Sequence, residues 1–239
     1  MCKGDFRDAL CLRYGWPLPY VSATCSCGAK FDPDHMLICK YGGYPTLRHN
    51  EIRDLTSSLL KEVCPSVSVE PRLQPITGEQ LRNSANQEDE ARVDIKARGF
   101  WSNCGQEAFF DVRVFHPYAP SYRNTPMSSL FKQHEAKKKN EYAQRIRDIE
   151  HGSFTSLVFT TVGTMGREAT AFYKRLALMI SEHRSEQYSV VMGWIRCRLS
   201  FSLLRSALMC IRGSRSARRI DGCELSTIAL AKAESRLTH

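Results

Sequence analysis

Ala91-Arg92-Val93-Asp94-Ile95 and Glu107-Ala108-Phe109-Phe110-Asp111-Val112-Arg113-Val114-Phe115 decide how this chain is read. The first reads as a short strand with one acid pointing off it. The second is apolar at Phe109, Phe110, Val112, Val114 and Phe115, a pattern of buried sheet core. Asp111 interrupts that run, and an acid there is unfavourable unless something positive meets it. Asp94 and Asp111 are 17 positions apart (111 − 94), a natural separation for neighbouring strands joined by a loop. The following helix carries Glu135, Lys138, Lys139 and Tyr142. Two strand carboxylates beside a helix lysine can form a divalent-metal site, with Mg²⁺ or Mn²⁺ as the ion.

Outward from this pair, the elements from 49 to 185 read as helix, strand, strand, strand, helix, strand, helix. Gly42-Gly43-Tyr44-Pro45 is a turn, and Asn50 is expected to cap a helix with Ile52, Leu55, Leu59 and Val63 on one face. Glu51 then falls in its first turn, within reach of a metal at the acids. Val67 to Pro71 is a strand stopped by proline. Residues 74 to 90 are rich in Gly, Asn, Gln, Ser and Glu and read as a long loop. Trp101, between the two acidic strands, reads as an exposed turn aromatic.

Ser128 or Ser129 is expected to cap the helix that runs to about Ile149. Phe131, Glu135, Lys138, Tyr142, Ile146 and Ile149 share one face, apolar at its ends and charged in its middle. Such a stripe packs on a sheet and leaves a polar window over a site. A strand from Phe154 to Val162 and a helix over Ala169 to Ile180 complete the core.

Before this core lies Cys25-Ser-Cys27-Gly28, and then His35-x3-Cys39. Thiolates and an imidazole at this spacing can close a tetrahedron around Zn²⁺. His49 is a possible substitute ligand. After the core, Tyr188 to Ile211 is a helix on which Arg198, Arg205 and Arg212 recur every seven residues and line up. From Gln187 to Ile220 there are seven arginines (196, 198, 205, 212, 215, 218 and 219) and no acid. This segment carries most of the net charge of +9, which favours a polyanionic partner bound through phosphates.

The chain of 239 residues has ten cysteines. It opens with neither a cap nor a secretory leader, which suggests a piece of a longer intracellular polypeptide. Clustered cysteines then indicate metal rather than disulfides. Arginines interrupt the one long apolar run, so no membrane span is expected. The expected organisation is an N-terminal helix and zinc knuckle over 1–46, an α/β core over 47–186, a basic amphipathic helix over 187–213, and a flexible basic tail over 214–239 holding at most a weak terminal helix.

The order α-β-β-β-α-β, with an acid on each of two neighbouring strands, resembles the restriction-endonuclease-like, or PD-(D/E)xK, nuclease superfamily. The acids match at Asp94 and Asp111. The lysine usual two residues after the second acid is replaced by Arg113, which stays protonated and cannot act as a base. In some branches that lysine moves to the following helix, and Lys138 or Lys139 with Tyr142 matches that arrangement. A Cys/His knuckle ahead of such a core is similar to the C-terminal region of non-long-terminal-repeat retrotransposon polyproteins. So are Arg48-His49-Asn50-Glu51-Ile52-Arg53-Asp54 and the 109–115 stretch.

The resemblance implies a mixed sheet flanked by helices and Mg²⁺-dependent nicking of nucleic acid, DNA in the first instance, in the nucleus. Asp94, Asp111 and Glu51 would serve the metal, and Lys138, Lys139 and Tyr142 the water and phosphate. Arg113, Arg198, Arg205 and Arg212 would contact the nucleic-acid backbone. A catalytically inactive nucleic-acid-binding zinc protein is the alternative, with Arg113 neutralising one of the acids. A zinc protein that recruits protein partners is a third reading.

Overall fold

The structure is a computed structural model that describes residues 3–74, 92–101 and 105–213. The loop expected over 74–90, beyond Gln74, and the tail and terminal helix expected after 213 lie outside these residues. The elements are α1 (Lys3–Tyr14), α2 (Pro33–Ile38), α3 (Tyr44–Leu60), β1 (Val67–Val69), β2 (Ile95–Arg98), β3 (Glu107–Phe115), α4 (Met127–Asp148), β4 (Ser153–Thr160), α5 (Arg167–Arg184) and α6 (Tyr188–Arg212). Strand order in the sheet is β1-β2-β3-β4. The pairs β1–β2 and β2–β3 are antiparallel, and β3–β4 is parallel. A parallel neighbour requires a crossover, and α4 supplies it.

The two faces of β3 bury different partners. Ala108, Phe110, Val112 and Val114 join Ile52, Leu59, Phe172, Ile180 and Ile195, from α3, α5 and α6, in the main core. Phe109 and Phe115 point the other way, toward Ile146 and Leu130 near the two ends of α4. Strand side chains alternate, so Asp111 lies on this second face, between the two phenylalanines. The apolar ends of α4 close on the sheet, and its charged middle spans the acid.

Two helix starts differ from expectation. Helix α3 begins at Tyr44, because Gly43 takes a left-handed turn (φ 71°) and Pro45 supplies a preset first-turn residue. Asn50 is therefore interior, and Glu51 is two turns into the helix. Helix α4 begins at Met127 with Pro126 as its cap residue, so neither Ser128 nor Ser129 caps it. Trp101 is less free than its turn position suggested: its Nε1 donates to Thr155 Oγ1 (3.2 Å).

Helix α6 packs on α3 and α5 through Val191, Ile195, Leu199 and Leu203, and its end anchors the N-terminal segment. Ile211 meets Cys25, Met36 and Cys39. Arg212 is a clamp and not part of a phosphate ridge. Its Nε and Nη2 donate to both carboxylate oxygens of Asp8 (2.6 and 2.8 Å), and further bonds go to the Pro19 and Tyr20 carbonyls. A guanidinium spent on four acceptors has no fork left for phosphate. Arg198 and Arg205 remain exposed, with Arg198 lying 5.0 Å from the Trp194 ring centroid. No helix among the described residues is long and apolar enough to cross a membrane.

The hydrogen bonds from Arg212 hold the Asp8 carboxyl below its usual range, although Asp8 is buried. Removing the guanidinium with Arg212→Ala should lower the unfolding free energy by roughly 1.5–3 kcal/mol at neutral pH, measured by denaturant titration. A depressed carboxyl stabilises above its unfolded pKa of about 4 and loses that contribution as pH falls through the folded value. The gap between wild type and variant should therefore close in acid.

Candidate functional site

Asp94 stands in a bend immediately before β2, where the expected strand over 91–95 gives way to the ladder at Ile95. Ile95 pairs with Phe110, so one further step along the same register sets Asp94 opposite Asp111. Both acids thus meet on the α4 face of the sheet. The bend also lets Asp94 Oδ2 accept from the Val112 backbone N–H (2.6 Å), and its Oδ1 meets His49 Nε2 (2.9 Å). Asp94 therefore occupies the place of the next ladder rung while keeping its carboxylate at the surface of the sheet.

Asp111 is 4% exposed. Its Oδ1 lies 3.2 Å from Lys138 Nζ, and its Oδ2 has no hydrogen-bond partner among the described residues. Its neighbour across the parallel ladder, Ser156, also has an unpartnered buried hydroxyl. Burial, and next the charge of Asp94, push the Asp111 carboxyl up to about 6, against the opposing pull of Lys138. Two neighbouring acids with one oxygen unpartnered among the described residues are hard oxygen donors that could hold a divalent cation.

The structure separates the expected site residues by helix geometry. Lys138 faces Asp111 and also Glu141 Oε2 (3.4 Å), with its Nζ 5.1 Å from the Tyr142 ring centroid. Tyr142 packs against Phe154, and burial raises its hydroxyl above the ordinary phenol range. Lys139, one residue on and about 100° round the helix, instead ion-pairs with Glu168 and is no part of the acid pair. Glu168 Oε2 accepts from the Ser156 N–H (3.2 Å) at the open edge of β4, so Lys139 serves that edge.

Glu51 is also displaced from the expected site. It lies two residues, about 200°, from His49 on α3, and its carboxylate meets Ser202 Oγ of α6 at 3.5 Å. His49 takes the place foreseen for Glu51, and it is not the substitute zinc ligand. The only signal for this was the Gly43-Tyr44-Pro45 start, which fixes which side of α3 turns to the sheet. Arg113 is exposed and forms no ion pair with Asp94 or Asp111, so it does not neutralise either acid.

A second cluster lies in the N-terminal segment. Gly28 (φ 88°) turns the chain so that its N–H and that of Cys25 bond across a tight loop bearing Cys25 and Cys27. Asp32 then caps α2, with Pro33 in its first turn. His35 and Cys39, four apart, face the loop together. Cys25 Sγ and Cys39 Sγ are 3.9 Å apart, and Cys27 Sγ and His35 Nε2 are 3.2 Å apart. All four donor atoms lie within 4.8 Å of one another. Zinc–sulfur bonds of about 2.3 Å at tetrahedral angles give sulfur–sulfur edges of roughly 3.8 Å, so the four donors can hold Zn²⁺. A hydrogen bond from the Ala29 backbone lowers the Cys27 thiol to about 7, and burial raises that of Cys39.

No protein-family model matches this chain, and a search of curated proteins finds no match. The Cys/His cluster predicts one zinc per chain by elemental analysis. Cys39→Ser should lose the metal and lower the melting temperature, and chelation should do the same to the wild type. A metal-free preparation with an unchanged melting temperature would remove zinc from the account.

Proposed function

We propose that this chain is a divalent-metal-dependent endonuclease that hydrolyses phosphodiester bonds and nicks DNA, with a restriction-endonuclease-like fold and a retroelement origin. One observation carries the reading: the Asp94 carboxylate, bonded to the N–H of Val112, lies beside Asp111, whose own carboxylate meets the Lys138 ammonium. The element order from α3 to β4 agrees with that fold. This reading carries with it an intracellular, nuclear site of action.

The donors suit Mg²⁺ or Mn²⁺. Both are carboxylates, hard oxygen ligands, and Asp111 Oδ2 is buried without a partner among the described residues. Asp94 and Asp111 would hold the ion, which when bound lowers the pKa of water and offsets charge on the phosphoryl oxygens. The chain's own groups do the rest. Val112 N–H and His49 fix the Asp94 carboxylate in one orientation. Lys138 presents a proton donor at the acid pair, and the Tyr142 ring beneath it restricts where the ammonium can go. Arg113 takes the position two after the second acid, where it serves as a phosphate contact and not as a base. Arg198 and Arg205 add exposed positive charge on α6 for the backbone.

The second reading, an inactive nucleic-acid-binding zinc protein, draws on the same Lys138–Asp111 contact. An ammonium already paired with the acid is also what a structural ion pair looks like. Plasmid nicking separates the two. With Mg²⁺ present, Asp111→Asn and Lys138→Met should each reduce nicking at least a hundredfold, about the loss seen when one preorganised electrostatic group is removed. DNA affinity should stay within a few fold. Nicking that survives Asp111→Asn would end the active-site assignment, and a wild type that neither nicks nor binds Mn²⁺ would favour the inactive module.

A further inference from the structure

Arg48 is 3% exposed on α3 and has no carboxylate partner among the described residues. Its Nη1 donates to the Leu37 carbonyl (2.9 Å) and lies 3.9 Å from Cys210 Sγ, while its Nε has no partner among the described residues. Burying a guanidinium without a counter-charge costs several kcal/mol unless an anion arrives. The groups around it add to the imbalance. Arg113, on β3, is close enough to disfavour the Arg48 charge, and Arg48 in turn disfavours protonation of His116. Asp34, an acid of this region, is taken by His116 at 3.0 Å.

These basic side chains line one cleft of about 670 Å³ between α2, the start of α3 and the end of β3. Lys40, Arg48, His49, Arg113 and His116 border it, and no Asp or Glu does. The cleft adjoins the acid pair at two points. His49 touches Asp94, and Arg113 lies two residues beyond Asp111 on the same side of the strand. Its other wall carries α2, which bears two residues of the Cys/His cluster, His35 and the cap residue Cys39.

We propose that the Arg48–Arg113 cleft is a phosphodiester-binding subsite that seats the backbone phosphate next to the one cut at Asp94 and Asp111. Planar guanidinium forks match phosphate oxygens, and a phosphate here supplies the anion that Arg48 lacks. A cleft of about 670 Å³ falls within the range that encloses small ligands, roughly 300–1,000 Å³, so it has room for a backbone phosphate and its flanking sugars. This inference rests on the nuclease reading for the identity of the neighbouring phosphate, but the binding itself does not need cleavage.

The test is therefore run on the zinc-loaded protein in buffer without Mg²⁺ or Mn²⁺, by fluorescence anisotropy of a labelled twelve-nucleotide single-stranded DNA. Arg113→Ala should weaken binding roughly tenfold, the loss of one charged contact. It should also flatten the dependence of log affinity on log salt by about 0.7, the slope of one single-strand phosphate. Lys174→Ala removes the same charge from the exposed surface of α5 and should change affinity less than twofold. Equal effects of the two variants on the single strand would overturn the subsite. So would binding of inorganic phosphate alone with no effect of Arg113→Ala on the oligonucleotide. A weakened single strand together with unaffected nicking in Asp111→Asn would leave the subsite standing and remove the nuclease reading instead.

Discussion

Two negative charges held across one rung of a sheet set the terms for the rest of this molecule. Asp111 sits where the pattern of β3 calls for an apolar side chain, Asp94 stands beside it in the bend before β2, and like charges on neighbouring strands destabilise their pairing. The surroundings answer each acid separately. Asp94 is steadied by a backbone N–H and an imidazole, and Asp111 by an ammonium from the crossover helix. One oxygen of Asp111 has no hydrogen-bond partner among the described residues. The parallel β3–β4 pair makes the crossover obligatory, and the crossover is what carries Lys138 over the acids. Topology and chemistry are therefore coupled: the connection that closes the sheet also brings the positive charge.

The N-terminal segment is too short to bury a core of its own, and it is held by different means. A cluster of three thiols and an imidazole ties the 25–39 loop to α2. Ile211 and Cys210 at the end of α6 pack beneath it, and Arg212 and Arg48 stitch it to α1 and α3. Small modules of this kind commonly depend on a metal staple. The position of α2 matters to the core as well, because α2 forms one wall of the basic cleft and Leu37 supplies the acceptor for Arg48.

Much of the core was legible in the sequence because it depends on period. The run from Phe109 to Phe115 reads as buried strand by its apolar content, and the mixed face of α4 reads as a helix packed at both ends and polar between. The Cys/His spacing is a local signal and needs no tertiary context. What period could not supply was rotation. Whether Glu51 or His49 turns to the sheet depends on where α3 starts, and a glycine in a left-handed turn before Pro45 moved that start six residues ahead of Asn50. Lys138 and Lys139 are equivalent by composition, and only the packing of α4 separates the one that meets Asp111 from the one that meets Glu168. Arg212 carried the same heptad signal as Arg198 and Arg205. Its partner, Asp8, lies at the far end of the chain, and no spacing rule links positions so distant.

The central claim is that one divalent cation is shared by the carboxylates of Asp94 and Asp111. Crystals soaked in Mn²⁺ and measured at the manganese absorption edge address it directly. The account predicts a single anomalous peak bridging Asp94 and Asp111, within bonding distance of an oxygen from each and absent in Asp94→Asn crystals. No peak there, with the Lys138 ammonium still seated on Asp111 at saturating Mn²⁺, would contradict it.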